Sequence, residues 1–567
     1  MRRSFASFAL VLALTASGAA LAKTADKAPP ASAPTQASAQ APAPTAPPRL
    51  VVAISVDQFS ADLFARYRRY FTAGLARLQE GAVFPSGFQS HAATETCPGH
   101  STLLTGAHPA RTGIIANNWF DPAIARADKR VYCSEDERDP ASTSRDPVVS
   151  AWHLKVPTLG ERMKAAWPEA RNVAVSAKDR AVVMMGGHAI DAGYWWKGSA
   201  FTSFAGKPLS PAAQAENAAV AKLLQAGAPA IALPTWCMAA DRAVPVKTFT
   251  IGNGRFVLEP GKPDAFRVSP RIDAATGDLA LKLVDEMQLG KGKAPDILSV
   301  SYSATDYVGH ALGNGGAEMC VQLAELDKTI GRLLTGLDAR KLDYVVVLSA
   351  DHGGLDATER LNQQAYPAAS RADKALNPAA LGQAIAAETG VTPPAGALIY
   401  GDGAGGDYYI ARNLTPEQKA KVQAALVARL RASPDVSAAY TGAEIAAQAR
   451  PTASPQDWTL LERARESFDA ERSGDVVAFL KRGVMAIPDP APGYTAGHGS
   501  VWDYDRRVPM LFWRRGLPGF EQPAPVETVD IAPSLAAVLG LKVAASEFDG
   551  RCLDLDGSAG DTCQPQP

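Results

Sequence analysis

Three carboxylates and three imidazoles in this 567-residue chain have the makings of a metal centre: Asp57 in "SVDQF", Asp306 and His310 in "TDYVGHALG", Asp351 and His352 in "ADHGG", and His498 in "TAGHGSVWDYD". Mixed oxygen and nitrogen donors suit zinc and similar borderline divalent ions better than calcium or magnesium. Six such donors are enough for two ions to share. Each residue alone has a plainer reading. An Asp after a strand commonly caps the next helix, and a His before Gly commonly fills a turn. Asp306 and His310 are spaced i,i+4, which puts them on one face of a helix, where a surface hydrogen bond is the ordinary outcome. Taken together, with three of only eight histidines placed in this way, the metal reading is the stronger.

A hydroxyl beside such ions needs no separate base, because a divalent cation lowers its pKa. The stretch "TETCPGHSTLLTG" (94–106) supplies Thr94, Thr96, Ser101 and Thr102, and residue chemistry alone leaves all four open. Its Thr/Ser/Gly composition reads as a turn. Cys97 is the rival nucleophile. However, the chain has six cysteines, and an even number behind an export leader favours disulfides. Cys552 and Cys563 close the shortest loop and are the safest pair. In "AKDR", Lys178 and Arg180 are i,i+2, so on extended chain both cations point to one side. A guanidinium fork and an ammonium suit a substrate with two free phosphoryl charges, although a solvated basic turn is the plainer reading of the pair alone. Asn117 in "GIIANNWFD" offers an amide donor for another phosphoryl oxygen.

These residues follow short apolar runs: "LVVAISV" before Asp57, "RNVAVSA" before Lys178, "DILSVSYSA" before Asp306 and "YVVVLSA" before Asp351. Runs of this length without alternation predict strands buried on both faces. Helical periodicity marks "ADLFARYRRYFTAGLARLQEG" and "GGAEMCVQLAELDKTIGRLLTGL". Alternating strands and helices predict an α/β fold with a doubly wound, mostly parallel sheet, whose ligands bind outside the carboxyl ends of the strands. Residues far apart in sequence are thereby gathered at one edge. A segment at about 370–490 has a different texture and reads as an inserted cap, and a stretch at about 190–290 reads as irregular decoration.

The chain opens "MRRSFASFALVLALTASGAALA", the layout of a signal peptide over residues 1–22. Its apolar run falls short of the ~20 residues of a membrane span. A Pro/Ala-rich tether is expected over 23–48, followed by a catalytic domain over 49–567, with no transmembrane segment in the mature chain. The formal net charge is -1, or -3 without Arg2 and Arg3 (-1 minus 2), which leaves no basic field for nucleic acid. No nucleic-acid-binding module is recognisable, and a periplasmic or secreted monomer is expected.

In order and spacing, "VDQF", "TETCPGH", "GIIANNWFD", "AKDR", "DYVGH", "ADHGG" and "GHGS" resemble the bacterial alkaline phosphatases with a threonine nucleophile, the PafA type. These sit beside the nucleotide pyrophosphatases/phosphodiesterases in the alkaline phosphatase superfamily. The resemblance implies an alkaline phosphatase-like fold and Thr96, in T-x-P-x-H, as the nucleophile. It implies two Zn2+ ions, one on Asp57, Asp351, His352 and Thr96, the other on Asp306, His310 and His498. Asn117, Lys178 and Arg180 would bind the phosphoryl oxygens of a phosphate monoester. A diesterase is the alternative, but the resemblance puts the Lys/Arg pair on the monoesterase side. A third reading, a silent phosphate- or metal-binding protein, is disfavoured by the intact donor set.

Overall fold

The strand Leu50–Val56 is buried along its whole length, and its residues alternate between two apolar cores. Leu50, Val52, Ile54 and Val56 face one core, while Val51 and Ala53 face the other. Such a strand needs helices on both sides, and it has them. In the computed structural model, which describes residues 46–564 except Asn253, it is the centre of a ten-stranded sheet. The expected leader and nearly all of the tether lie outside the described residues.

Five strands run parallel in the order Tyr344–Ser349, Leu50–Val56, Asp296–Tyr302, Asn172–Ser176 and Ala192–Lys197. Arg507–Arg514 joins antiparallel beside Tyr344–Ser349, with Ala82–Phe88 antiparallel beyond it, and Ala200–Thr202 closes the far edge. Ser55 pairs with both Ser349 and Ser301, and Ser301 pairs with Ser176, so four neighbouring strands end level. Helices Pro270–Glu286 and Ala317–Ala339 cover one face; helices Thr96–Thr105, Leu159–Ala166 and Ile531–Val538 cover the other. The doubly wound, mostly parallel architecture is therefore present, with antiparallel strands at its margins.

Two helical readings fare differently. "GGAEMCVQLAELDKTIGRLLTGL" forms one helix, Ala317–Ala339. "ADLFARYRRYFTAGLARLQEG" breaks into Ala61–Tyr67, a 3-10 turn at Arg68–Tyr70 and Gly74–Leu78. The break is held by Asp327 of the long helix, whose carboxylate accepts the N–H groups of Thr72, Ala73 and Leu75 at 2.7, 2.9 and 2.7 Å. A tertiary carboxylate thus supplies the cap that the local sequence lacks. The stretch read as decoration is more regular than expected: it contributes the last two strands of the sheet and the helices Pro211–Ala226 and Pro270–Glu286.

Residues Ile399–Tyr400, Gly406–Ile410, Val476–Leu480 and Val436–Thr441 build a second, antiparallel four-stranded sheet. Helices Pro378–Thr389 and Pro416–Ala432 pack on it around a separate apolar core. Disulfides join Cys97 to Cys133, Cys237 to Cys320, and Cys552 to Cys563, the last as expected.

Near Glu466, just past helix Leu460–Arg465, a buried histidine ties several segments together. His108 Nδ1 lies 3.3 Å from Glu466 Oε2 and 3.6 Å from Asp549 Oδ2; its Nε2 lies 3.8 Å from Glu527 Oε2 and 2.9 Å from Ser90 Oγ. Arg111 and Arg450 also pair with Asp549. Burial disfavours the imidazolium, but the bond to Asp549 and the Glu527 and Glu466 charges outweigh it and raise the pKa above the usual 6.5. A raised folded-state pKa contributes stability that is complete below the unfolded value and lost as pH rises through the folded one. The urea midpoint of the wild type should therefore exceed that of His108→Gln most at about pH 6, with the gap narrowing towards about pH 9. An equal gap at both values argues against a charged His108.

Candidate active site

Because four neighbouring strands end level, the residues that follow them meet at one edge. In spatial order they are Asp351, Asp57, Asp306 and Lys178. Asp306 and His310 sit on helix Ala304–Leu312, as the i,i+4 spacing requires, and His498 arrives from the loop before Arg507–Arg514. Among the described residues, two groups of three bring one donor atom each to within 4.8 Å of one another: Asp57, Asp351 and His352, and Asp306, His310 and His498.

The histidines are oriented for ligation. Each Nδ1–H donates to a backbone carbonyl: His352 to Gly353, His310 to Ala496 and His498 to Thr94, all at 2.8 Å. That fixes the tautomer and turns each Nε2 lone pair towards the carboxylates. His352 Nε2 lies 3.5 Å from Asp57 Oδ1 and 3.4 Å from Asp351 Oδ2, while the Nε2 atoms of His310 and His498 lie 3.3 and 3.5 Å from Asp306 Oδ1. Burial drives the His352 pKa to about 3 and lowers that of His498, so both rings are neutral. Burial and the Asp351 carboxylate push Asp57 well up. Asp306 is held low, against burial, by Lys178 and His310, and Asp351 by His352 and His100.

Five buried acceptor atoms here have no hydrogen-bond donor: both carboxylate oxygens of Asp57, Asp306 Oδ1, Asp351 Oδ2 and His352 Nε2. Lys178 Nζ is 2.6 Å from Asp57 Oδ2 but not in hydrogen-bonding geometry; it does donate to Asp306 Oδ2 at 2.6 Å. Convergent acceptors that no donor satisfies are what a divalent cation fits. One lysine cannot neutralise three carboxylates.

Thr96 is fully buried and is the first residue of helix Thr96–Thr105, so the segment read as a turn is helical, with a left-handed Gly106 at its end. The helix approaches the sheet closely through Gly99, where a Cβ would overlap the Asp351 carbonyl. Thr96 Oγ1 accepts long bonds of 3.4 Å from both Lys178 Nζ and Arg180 Nη2. The pair converges as expected, but not along extended chain. Helix Asp179–Gly186 begins between the two residues; Lys178 is its extended N-cap and Arg180 lies in its first turn. The Arg180 guanidinium is further held by the Tyr132 hydroxyl at 3.4 Å.

The hairpin Asn118–Phe120/Arg130–Tyr132 carries Asn117 to the helix start. Asn117 Oδ1 accepts the Cys97 N–H at 2.8 Å, which leaves its amide N–H groups free to donate. The Cys97–Cys133 bond ties hairpin to helix and removes Cys97 as a free thiol. Of the other hydroxyls, Thr94 donates to the Ser500 carbonyl, Ser101 to the Pro98 carbonyl and Thr102 to Gln89. Sequence reasoning missed the supporting residues. His100 sits 3.0 Å from Asp351 Oδ2 and bonds the Thr96 carbonyl and Ser301 Oγ at 2.9 Å each. Asp273 accepts the Ser303 and Ala304 N–H groups at the start of the Asp306 helix at 2.9 and 3.0 Å. The signal for His100 was in T-x-P-x-H; nothing local marks Asp273.

The fold is that of the alkaline phosphatases: the crystal structure of wild type alkaline phosphatase PafA superposes with a TM-score of 0.78 at 23% identity, covering 89% of this chain and 98% of that one. Residues 51–502 match the family described as type I phosphodiesterase / nucleotide pyrophosphatase, and the chain belongs to it. Alkaline phosphatase PhoK of Sphingomonas sp is 51% identical over 524 residues, 92% of this chain and 93% of PhoK. Alkaline phosphatase PhoD of Zymomonas mobilis is 48% identical over 526 residues, 91% and 89% of the two chains.

The tight helix–sheet approach makes Gly99 a sensitive position. Gly99→Ala should destabilise the fold by about 1–3 kcal/mol in urea titration, the range for overpacking. It should also lower metal affinity in a competition titration, since it displaces Asp351; unchanged affinity would separate the helix from the donor set.

Proposed function

We propose that the chain is an exported zinc-dependent alkaline phosphatase that hydrolyses phosphate monoesters through a phosphothreonine at Thr96. One observation carries the reading: Lys178 and Arg180 reach the same buried Thr96 hydroxyl, beside two convergent acceptor triads. The names of the relatives PhoK and PhoD agree with it. Three disulfides and the leader-like residues 1–22 support a periplasmic or secreted enzyme, and no described helix is long and apolar enough to cross a membrane.

Asp57, Asp351, His352 and Thr96 would hold one zinc, and Asp306, His310 and His498 the other. Two such ions supply Lewis acidity at both ends of an in-line phosphoryl transfer, acidifying the hydroxyl and stabilising the departing oxygen. Thr96 loses its hydroxyl proton to solvent and Oγ1 attacks phosphorus; the Oγ1–P bond forms as the ester P–O bond breaks, and the alcohol leaves with a proton from water, whose hydroxide the Thr96 proton neutralises. A second water then attacks the phosphothreonine from the vacated side, releasing inorganic phosphate and restoring the hydroxyl. Lys178 and Arg180 bring two positive charges to the phosphoryl oxygens, and the Asn117 amide donates to a third. The N-terminus of the Thr96 helix favours the same anion. A diester has one fewer charged oxygen to offer, so the pair selects monoesters. The family description also names diesterases, which makes the monoester/diester ratio the deciding quantity.

Acid quenching with a labelled monoester should trap phosphate on Thr96, and Thr96→Ala should trap none; label on Thr94 would relocate the nucleophile. Arg180→Ala should cut monoester kcat/KM by about 10²–10³-fold, the cost of one charge-stabilising donor. Diester kcat/KM should fall far less, and equal losses would favour the diesterase reading. A chelator should abolish turnover, with two equivalents of zinc restoring it; restoration by one equivalent would contradict the bimetallic centre.

A further inference from the structure

Beside the Asp306/His310/His498 triad, a cavity of about 230 Å³ extends towards the four-stranded sheet. His498, Glu95 and Tyr494 border it, and Phe120 from the Asn117 hairpin lines it. Its charge is one-sided. Four carboxylates line it, namely Glu95, Asp402, Asp407 and Asp505, and no Lys or Arg does.

The four are not equivalent. Asp402 is exposed and paired with Arg130 at 2.6 Å. Glu95 Oε2 is engaged by the Asn117 N–H at 2.7 Å. Asp407 and Asp505 have neutral donors only: the Gly474 N–H at 2.6 Å for Asp407, and for Asp505 the Ser500 N–H at 2.8 Å with the Ser500 side chain beside it. Asp505 is 1% exposed, and its Oδ1 has no hydrogen-bond partner. With no counter-cation, burial raises Asp407 to about 6 and Asp505 to about 7. In alkaline solution both are anionic and uncompensated.

With Thr96 as the nucleophile and the Asp306/His310/His498 group at the departing oxygen, as proposed above, an in-line displacement would direct the leaving substituent to the side of His498 and so into this cavity. We infer that the cavity is a leaving-group subsite that selects phosphomonoesters of cationic alcohols, such as amino alcohols bearing an ammonium group. The inference rests on the monoesterase reading above. A cation there meets Asp407 and the ring of Tyr494, which is 52% exposed and already stacked on His310 with centroids 5.4 Å apart, while Asp505 adds its charge from behind the wall. An alcohol carrying further negative charge meets only like charge, and a neutral one gains apolar contact alone.

The test compares kcat/KM for phosphocholine, for 3,3-dimethylbutyl phosphate, which has the same shape without the charge, and for 2-carboxyethyl phosphate. The wild type should favour the cationic ester over its neutral isostere by about tenfold, the equivalent of one desolvated charge contact, and turn over the anionic ester most slowly. Asp407→Asn should narrow that ratio to about threefold, and Asp505→Asn should narrow it likewise. The wild-type ratio does not depend on either variant folding. Turnover of all three esters with a ratio near one overturns the subsite, as does a ratio unchanged in a folded Asp407→Asn. Failure to turn over these esters and p-nitrophenyl phosphate alike overturns the monoesterase reading instead.

Discussion

Three carboxylates buried at the ends of three adjacent strands repel one another, and the only lysine among them cannot neutralise all three. Burying ions without partners costs several kcal/mol each. The arrangement is therefore tolerable only with further positive charge, and the rest of the site is built around that requirement. Level strand registers bring the carboxylates together. Backbone carbonyls orient three histidines so that each Nε2 faces the carboxylates. The raised Asp57 pKa expresses the same demand, a proton being the smallest cation that can answer it.

Around this centre the chain uses tight packing rather than local propensity. Gly99 lets the Thr96 helix rest on the Asp351 backbone, and His100, one residue on, touches both the Asp351 carboxylate and the Thr96 carbonyl. The proposed nucleophile and one acceptor triad are thus indexed to each other by two consecutive residues. Asp273 serves the other triad in a comparable way, by capping the helix that carries Asp306 and His310.

What the sequence revealed followed from burial. Strands covered on both faces are continuously apolar, so their ends were visible, and with them Asp57, Lys178, Asp306 and Asp351. The helix beginning at Thr96 was hidden because its hydroxyls, glycine and proline are turn formers by composition; all ten of its residues are buried, and tertiary contact decides their conformation. The break near Phe71 was hidden for a similar reason, since its cap, Asp327, comes from a distant helix. The Lys178/Arg180 pair was found through the wrong geometry, because a helix starts between them. The cavity beside His498 had no linear signature, being walled by residues from position 92 to position 505.

The bond between Cys97 and Cys133 has a bearing on how firmly the site is held. It fastens the residue after Thr96 to the hairpin whose base carries Asn117. Before oxidation, the hydroxyl and the amide belong to segments held together by weak forces alone. The covalent link sets the spacing of the Thr96 helix and the Asn117 hairpin in a way that the single Cys97–Asn117 hydrogen bond does not.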